Sequence, residues 1–347
     1  MDIQRLFGIA LLTLTLASCW GGSPPQSPEK QAPGSTAAEA SQPGAASNSA
    51  GASEEIRVLT WNLEWFNDHE TRDDQSTIGR DAAAPNEQEW NERVRTFAEA
   101  LADMRPTVAA LQEVENEKVV QDLADEIRNS HGINYDVAFV EGRDSHTGQD
   151  VAFLVQDGLN ARADRFDFRP FRNRSDYKSL SKHLRLDLRL NGEDVTLVNV
   201  HLITRPGERQ KQARTLRAWL DDLPEDRHIV VLGDHNSRLA FNETTPNSEM
   251  GILRGFGTPD TDDDLWDTQE RMRDRSTHVA GHPLDRILLS ASLNDGQGLD
   301  FNAVETRRDL AVRGKDDFSR DGVDYSRSID EQDLSDHYPL LVTLKTR

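Results

Sequence analysis

Short apolar runs rich in β-branched residues recur along this chain from residue 56 to residue 344, and they constrain its fold more than any other feature. Each run has the length of a strand and is bounded by polar or turn-forming residues, a pattern typical of buried β-strands. The predicted strands span residues 56–61, 108–112, 135–140, 151–155, 195–200, 229–232, 286–289 and 340–344. The folded part of the chain is therefore built around β-sheet.

Helices are predicted between some of these strands. After the first strand, apolar side chains recur at helical spacing, namely Trp90, Val94, Phe97, Leu101 and Met104. A second helix follows His201 and carries Leu216, Trp219 and Leu220. Strand–helix–strand order is mixed with consecutive strands, as within residues 135–155, so an α/β (α+β) fold of packed mixed sheets flanked by helices is favoured over a purely parallel sheet. We expect loops over residues 260–264 and 313–333.

Residues 1–18 have the features of a secretion signal peptide. Arg5 precedes an apolar or small-residue stretch, residues 6–17, that is too short to span a bilayer. The sequence Leu-Ala-Ser-Cys at 16–19 resembles the lipobox at which bacterial lipoproteins are cleaved and acylated, and Cys19 is the only cysteine of the protein. We predict that lipidated Cys19 anchors an exported protein to the bacterial cell envelope, at the outer membrane of a Gram-negative cell. The alternative is an ordinary signal peptide with an incidental thiol.

After this cysteine, residues 21–53 are rich in Gly, Ser, Ala, Pro and Gln and contain almost no large apolar side chain. Such a segment cannot bury enough surface to offset the entropy of ordering. We therefore interpret residues 19–53 as the lipidated cysteine and a disordered linker, with a reach of roughly 30 Å. One folded domain is expected over residues 54–347, and we expect it to be a monomer.

The net charge of −21, from 40 basic and 61 acidic residues, opposes the attraction of polyanions by the molecule as a whole. Any polyanionic ligand must therefore be held by local basic patches. The candidate patches are Arg165, Arg169, Arg172, Arg174 and Lys178, and Arg205, Arg209, Lys211, Arg214 and Arg217. We expect most of these side chains to be solvated surface charge.

Several predicted strands end in polar residues of the kinds that bind metals and phosphates. Because 61 of the 347 residues are Asp or Glu, a lone carboxylate carries little information, whereas a carboxylate at the end of an apolar strand is unusual. Asn62 and Glu64 share a face if the first strand continues, since side chains alternate with period two. Glu113 ends the second strand, where it would suit a hard cation such as Mg²⁺. The other polar ends are Asn199 and His201, Asp234, His235 and Asn236, and Asp336 and His337.

These motifs resemble those of the endonuclease/exonuclease/phosphatase superfamily, which includes deoxyribonuclease I, abasic-site nucleases, inositol-phosphate phosphatases and neutral sphingomyelinases. The motifs, in family order, are Trp-Asn-x-Glu at 61–64, Leu-Gln-Glu at 111–113, Asn-Val-His at 199–201, Gly-Asp-x-Asn at 233–236, Leu-Asp-Arg-Ile at 284–287 and Ser-Asp-His-Tyr-Pro at 335–339. The resemblance covers residues 56–345 and implies a deoxyribonuclease-I-like, four-layered sandwich of two mixed sheets with helices outside. It also implies a hydrolase that acts on phosphate esters with a divalent metal.

The resemblance further implies a set of metal ligands. Glu113 would be the central Mg²⁺ ligand, with Mn²⁺ or Ca²⁺ as alternative ions. Asn62, Glu64 and Asp336 would contribute directly or through water. Few protein ligands suffice, because Mg²⁺ keeps several waters.

Catalytic roles are implied in the same way. His337 would act as general base or phosphate-binding group, with Asp285 bonded to its other ring nitrogen. Asp234 and Asn236 would orient the attacking water and a phosphoryl oxygen. Whether Asp234 or His337 removes the water proton stays open, as does the choice between one metal ion and two.

Histidines complete the implied site. His201 would donate to a phosphoryl oxygen as negative charge develops, and Asp150 is its expected partner. His235 departs from the family, which usually has an apolar residue there, so either packing or substrate contact is open to it. His278 and His282 are further candidate substrate contacts.

Substrate class does not follow from the resemblance, because one fold hosts many substrates. Abasic-site repair enzymes carry Asn at the position of His201, and export disfavours genomic repair, so an exported surface nuclease acting on DNA or RNA is expected. Basic loop residues such as Arg143, Arg172 and Arg205 would then contact phosphates. The alternatives are a phosphomonoesterase or lipid phosphodiesterase of the inositol-phosphate phosphatase or sphingomyelinase type, and a non-catalytic binding module. The lack of a hydrophobic hairpin disfavours a lipid substrate, and the complete motif set disfavours a non-catalytic module.

Overall fold

The computed structural model describes residues 55–72, 76–224, 226–240, 243–313, 323–328 and 331–347. The predicted signal peptide, Cys19 and the linker lie outside these residues. Within the described ranges, no helix combines the length and the apolar character that crossing a bilayer requires.

Two six-stranded mixed sheets form the centre of the described fold. The strands in chain order are β1 (Ile56–Phe66), β2 (Val108–Val114), β3 (Tyr135–Ala138), β4 (Asp150–Gln156), β5 (Arg162–Asp164), β6 (His183–Leu190), β7 (Glu193–His201), β8 (His228–Asp234), β9 (Trp266–Asp267), β10 (Asp285–Leu289), β11 (Leu299–Thr306) and β12 (Leu340–Thr346). The first sheet has the order β11-β12-β1-β2-β4-β3, and the second has the order β5-β6-β7-β8-β10-β9. Strands β1 and β2 run parallel, as do β7 and β8.

Helices cover the outer faces of both sheets. They are α1 (Thr77–Ala82), α2 (Glu87–Met104), α3 (Glu117–His131), α4 (Pro206–Asp221), α5 (Glu249–Arg254) and α6 (Arg308–Ala311). One apolar cluster lies between α2, α3 and the first sheet, a second lies between the two sheets, and a third lies between the second sheet and α4 and α5. The architecture is therefore the predicted four-layered α/β sandwich of two mixed sheets flanked by helices.

Local signals set the ends of α2. The side chain of Asn86 accepts a hydrogen bond from the backbone N–H of Glu89 (3.0 Å) and so caps the first turn. At the other end, Arg105 adopts a left-handed conformation with φ of 45°, and its N–H donates to the Leu101 carbonyl. Pro106 follows and cannot continue the helix.

The period of two along the strands determines which polar groups reach the space between the sheets. In β1, Ile56 and Val58 pack between the sheets, whereas Leu59 and Trp61 pack beneath the helices. Asn62 lies four residues after Val58, so its side chain faces the same space between the sheets. The same alternation brings to this face Gln112 of β2, Asn199 and His201 of β7, Asp234 of β8 and Asp285 of β10. Strand register then places Asp234 opposite both His201 and Asp285, so the polar groups gather at one edge.

Each predicted strand is present, and several extend further than predicted. The elements not predicted from the sequence are β6, β11, α3, the short edge strands β5 and β9, and the short helices α1, α5 and α6. Strand β6 alternates Leu with charged residues, and α3 carries Val119, Leu123 and Ile127 at helical spacing, so both had a readable signal. Residues 260–264 form the expected loop, and the described parts of 313–333 contain no helix or strand.

Candidate active site

Asn62 and Glu64 are held together by a break in β1. Glu64 and Trp65 have positive φ values of 48° and 52°, and the pairing of β1 with β2 shifts register after Asn62. The N–H of Glu64 donates to Asn62 Oδ1 (3.0 Å). Because a backbone N–H can only donate, Asn62 Nδ2 must face Glu113 Oε1 (3.0 Å) and Asp234 Oδ2 (3.3 Å). Asn62 therefore orients two carboxylates, and its side-chain oxygen already accepts one hydrogen bond. Its contribution to a metal site, directly or through water, stays a prediction.

Glu113 is fixed by a chain of buried side chains. Its Oε2 accepts hydrogen bonds from the Trp65 N–H (3.1 Å) and from Gln149 Nε2 (2.7 Å). The Gln149 Oε1 accepts in turn from Lys182 Nζ (2.8 Å), which pairs with Asp144 (3.1 Å). Gln149 and Lys182 are 3% and 8% exposed, so water competes little for these contacts. The sequence analysis identified neither residue as part of the site.

Asp234 occupies the centre of the cleft between the sheets. Its Oδ1 accepts from the Asn236 N–H (2.7 Å), and its Oδ2 accepts from Asn236 Nδ2 (3.2 Å). Asn236 adopts a left-handed backbone conformation with φ of 50°, and in this conformation its N–H and its side chain both contact Asp234. Asp234 Oδ2 lies 3.5 Å from His201 Nε2 and 4.0 Å from His337 Nε2. Burial raises the pKa of Asp234 to about 7, against the opposing effect of His337.

His337 pairs with Asp285 as predicted. Its Nδ1–H donates to Asp285 Oδ2 (2.8 Å), and Trp61 Nε1 donates to the His337 carbonyl (2.9 Å). Burial acts to lower the pKa of His337, but the carboxylates of Asp285, Asp336 and Asp234 outweigh it and raise that pKa well above its ordinary value. These carboxylates therefore favour the imidazolium form of His337, whose Nε2 lies 3.8 Å from Asp336 Oδ1 and 4.0 Å from Asp234 Oδ2.

His201 is the neutral histidine of the site. Burial lowers its pKa well below the ordinary value, and the charges of Lys182 and His337 lower it further. Its Nε2 lies 3.5 Å from Asp234 Oδ2 and 3.8 Å from Glu113 Oε1. Its buried Nδ1 has no hydrogen-bond partner among the described residues. His201 thus offers an uncharged ring between two carboxylates.

Asp150 is not the partner of His201, and that prediction is wrong. Its Oδ2 accepts from the Gly142 N–H (2.8 Å), and Arg165 Nη1 lies 3.9 Å from its Oδ1. A Cβ at residue 142 would collide with the Asp150 carboxylate, so this approach requires glycine. Asp150 begins β4 in the first sheet, and its side chain faces the loop that contains Gly142. The side chain of its neighbour Gln149 instead faces the site.

Asp336 and Glu64 complete the acidic wall of the cleft. The Asp336 N–H donates to Glu64 Oε2 (2.9 Å). Burial raises the pKa of Glu64 to about 8, and the charge of Asp336 adds to this rise. Burial also acts to raise the pKa of Asp336, but His337 and His278 outweigh it and lower that pKa below its ordinary value. The two neighbouring carboxyls therefore differ in their affinity for a proton.

His235 does not reach the cleft. Its side chain is fully buried, and its Nδ1–H donates to the Gly233 carbonyl (2.9 Å). Burial lowers the pKa of His235 to about 4, so the ring is neutral. Of the two roles left open for this residue, the structure favours packing.

Three of the basic residues expected at the surface are structural instead. Arg209 is 5% exposed and pairs with buried Glu249 (2.9 Å), and Arg217 is 8% exposed and pairs with Asp221 (2.7 Å). Arg165 donates to the backbone carbonyls of Val140 and Ser181. Long arginine stems cover apolar surface while their charges are paired, which the sequence pattern did not reveal.

The acidic cluster fits a divalent cation. Glu64, Glu113, Asp234 and Asp336 lie close enough for their charges to interact, and two of their pKa values are raised. Carboxylates buried together in this way are stabilised by a bound cation, and hard oxygen donors suit Mg²⁺ or Mn²⁺. Glu64, Glu113 and Asp336 are the residues that would hold such an ion.

Comparison with known proteins agrees with this geometry. The model of a family described as the Endonuclease/Exonuclease/phosphatase family matches residues 59–337. A search of curated proteins finds no match.

Solved structures with a similar fold come from several organisms. D. rerio TDP2 complexed with single-strand DNA product is 16% identical, covering 84% of this chain and 99% of that chain, with a TM-score of 0.53. An endonuclease/exonuclease/phosphatase from Bacteroides vulgatus is 16% identical, covering 85% of this chain and 100% of that chain, with a TM-score of 0.53. At this level of identity the likeness shows the fold alone.

Proposed function

Because the chain belongs to the endonuclease/exonuclease/phosphatase family, whose members are generally hydrolases that act on phosphoester bonds, we propose that it is a divalent-metal-dependent nuclease. Its substrate would be the phosphodiester backbone of DNA or RNA. The observation that carries the proposal is the convergence of Glu113, Asp234 and the His337–Asp285 pair at one edge of the two sheets.

Asp234 is the general base of this mechanism. A base works best when its pKa lies near the working pH, and burial brings the pKa of Asp234 to about 7. Asn62 and Asn236 both donate to its Oδ2, which fixes the direction of the carboxylate. A water placed against Asp234 would lose its proton there as it attacks phosphorus in line with the leaving oxygen.

His337 and His201 complement the charge that develops on the phosphoryl group. His337 is held as an imidazolium by Asp285, so it donates a charged N–H. His201 is neutral and donates without adding charge. In this assignment His337 binds phosphate, while Asp234 removes the proton.

Glu113, Glu64 and Asp336 would hold the divalent ion, which would supply positive charge against the charge that develops on the phosphoryl group. Asn62 and Gln149 then act on Glu113 by fixing both carboxylate oxygens. Ordered ligands of this kind hold an ion with little reorganisation during the reaction.

Exposed basic side chains near the cleft support a polyanionic substrate. Arg205 follows His201 by four residues, and Arg143 lies beside Ser181 through a backbone hydrogen bond; both side chains are exposed. A cavity of about 400 Å³ is lined by three basic side chains and two acidic ones, namely Arg271, Arg273, Arg308, Asp274 and Glu305. Ser276 and Tyr338 also line it, and Tyr338 directly follows His337. Phosphate contacts dominate nucleic-acid affinity, and these side chains offer local positive charge on an acidic protein. The DNA product held by TDP2 from D. rerio supports the same substrate class.

A lipid phosphodiesterase is the second candidate, and the surface disfavours it. Among the described residues, the one large hydrophobic side chain that is exposed is Ile78, at 41%. An enzyme that works on a membrane lipid needs apolar surface to enter the interface.

Lipidation at Cys19, export and anchoring to the cell envelope are part of the proposal and rest on the residues that precede the described structure.

The test is to offer the purified full-length protein plasmid DNA, RNA, p-nitrophenyl phosphate and sphingomyelin vesicles with Mg²⁺. We expect cleavage of a nucleic acid, and Arg273→Ala should raise KM for that polymer while Arg189→Ala, at the far end of β6, leaves it unchanged. Turnover of the monoester or the lipid without cleavage of nucleic acid would contradict the nuclease assignment.

A second experiment tests the proposed lipid anchor. Cys19→Ser should release the protein from membranes, and unchanged retention would contradict acylation.

A further inference from the structure

His278 lies beside the cleft in a position fixed by backbone contacts. The Val279 N–H donates to the Asp336 carbonyl (2.9 Å), and the Tyr338 N–H donates to the Thr277 carbonyl (2.7 Å). His278 and His337 form an isolated antiparallel bridge, and their rings lie at 87° with centroids 4.8 Å apart. Backbone contacts on both sides of His278 therefore hold this segment against the stretch that carries Asp336 and His337.

The backbone also selects the tautomer of His278. Its Nδ1 accepts a hydrogen bond from the Ala280 N–H (2.9 Å). Because that N–H can only donate, Nδ1 carries no hydrogen, and the neutral ring carries its hydrogen on Nε2. Nε2 lies 3.2 Å from Asp336 Oδ2 and donates to it. His278 is 7% exposed, so water competes little for this contact.

His278, Asp336 and His337 place three candidate metal-ligand atoms within 4.8 Å of one another, but their chemistry argues against a cation there. A histidine ligand must offer a nitrogen without a hydrogen. Nε2 of His278 bears one, since Nδ1 is already an acceptor. His278 and Asp336 are therefore joined by a hydrogen bond, which engages Asp336 Oδ2. The other carboxylate oxygen, Asp336 Oδ1, receives no hydrogen bond from His278 and lies 3.8 Å from His337 Nε2.

We propose that His278 is a positioning residue of the active site, whose Nε2–H engages one oxygen of Asp336 and leaves the other for the divalent ion. The backbone N–H of Asp336 donates to Glu64 Oε2 (2.9 Å), so the oriented carboxylate lies beside a second expected ligand. The predicted effect of His278 on metal binding rests on the proposed function, whereas the predicted tautomer of the His278 ring does not.

The test compares His278→Gln, His278→Asn and His278→Ala. Gln can place an amide N–H near the position of Nε2, whereas Asn places it near Nδ1. Titration with Mn²⁺, followed by electron paramagnetic resonance, should show affinity weakened by roughly 10- to 100-fold in His278→Ala and His278→Asn but largely retained in His278→Gln. The exposed His146→Ala serves as the matched control, and thermal unfolding verifies that each variant is folded.

Ring ¹⁵N chemical shifts of metal-free protein give an independent readout. We expect the Nε2–H tautomer for His278 in the wild type. A Nδ1–H tautomer, wild-type Mn²⁺ affinity in His278→Ala, or equal losses in His278→Gln and His278→Ala would overturn the assignment. If the wild type binds no Mn²⁺, the proposed metal dependence fails, and the ring shifts alone still decide the hydrogen bond.

Discussion

The Nδ1–H of His337 donates to Oδ2 of Asp285 over 2.8 Å, and both side chains are almost fully buried, at 5% and 1% exposure. A carboxylate in this position fixes the ring orientation and favours the charged imidazolium. Without that charge, only Asp336 and Asp234 would oppose the effect of burial, which lowers the pKa of His337. Asp285 is thus the largest single contribution that separates the pKa of His337 from that of His201.

Replacing Asp285 with Asn should therefore lower the pKa of His337. Burial already acts in that direction, and only Asp336 and Asp234 would remain to oppose it. NMR titration of the His337 ring in wild type and Asp285→Asn measures the effect. An unchanged titration midpoint would refute the role of Asp285.

The activity should fall as the pH drops below about 7, because Asp234 must be ionised to accept a proton. Asp234→Asn should lose roughly 10²- to 10⁴-fold in kcat/KM at neutral pH, the usual contribution of a general base. The pH profile of kcat/KM with saturating metal tests this directly. If Asp234→Asn kept both the wild-type rate and the acidic limb of the pH profile, a group other than Asp234 would have to be the general base.

Gln149 should act on metal affinity rather than on the chemical step. It bridges Glu113 and Lys182 with hydrogen bonds of 2.7 and 2.8 Å, so Gln149→Ala removes one of the two donors to Glu113 Oε2 and leaves only the Trp65 N–H. We expect the Mg²⁺ concentration for half-maximal activity to rise by roughly 10- to 100-fold, with kcat largely restored at saturating Mg²⁺. The exposed Gln156→Ala, at the far end of β4, is the control. A loss of kcat with unchanged Mg²⁺ dependence would place Gln149 in the chemistry instead.

Above about pH 6.5, the metal-free protein should lose stability as the pH rises to about 8, and the loss should level off at higher pH. The pKa of Glu64 is raised to about 8 in the folded protein, so the folded state holds a proton that the unfolded chain has already released. Stability from such a group falls as the pH rises through the folded pKa. Buried His201, His183 and His235 act only at lower pH, since their pKa values are lowered.

Thermal unfolding in chelator at several pH values provides the measurement. Glu64→Gln should flatten the decline, and Mg²⁺ should oppose it in the wild type, because a bound cation compensates the ionised carboxylate. The exposed Glu305→Gln serves as the control. A wild-type unfolding temperature that stays constant across this range would contradict the assigned environment of Glu64.

Much of the fold could be predicted from the sequence, because the apolar runs that form the strands are short, strong and regularly placed. Strands β5 and β9 were missed because three- and two-residue edge strands carry almost no pattern.

Other features of the site depend on the tertiary structure. Positive φ at Glu64, Glu113 and Asn236 redirects side chains in ways that strand alternation does not predict. Gln149 was missed in favour of Asp150 because neighbouring residues at the start of β4 face opposite sides. His278 was predicted only as a candidate substrate contact, because the Ala280 N–H that sets its tautomer leaves no signal in the sequence.

Phosphodiester cleavage by full-length wild type, Glu113→Gln and the exposed control Glu117→Gln, each with Mg²⁺ and with chelator, tests the central claim most directly. We predict that wild type and Glu117→Gln cleave only with Mg²⁺, and that Glu113→Gln is slower by about 10²-fold or more at equal Mg²⁺. Cleavage that resists chelator, or a Glu113→Gln variant as active as the wild type, would contradict a metal-dependent site built on Glu113.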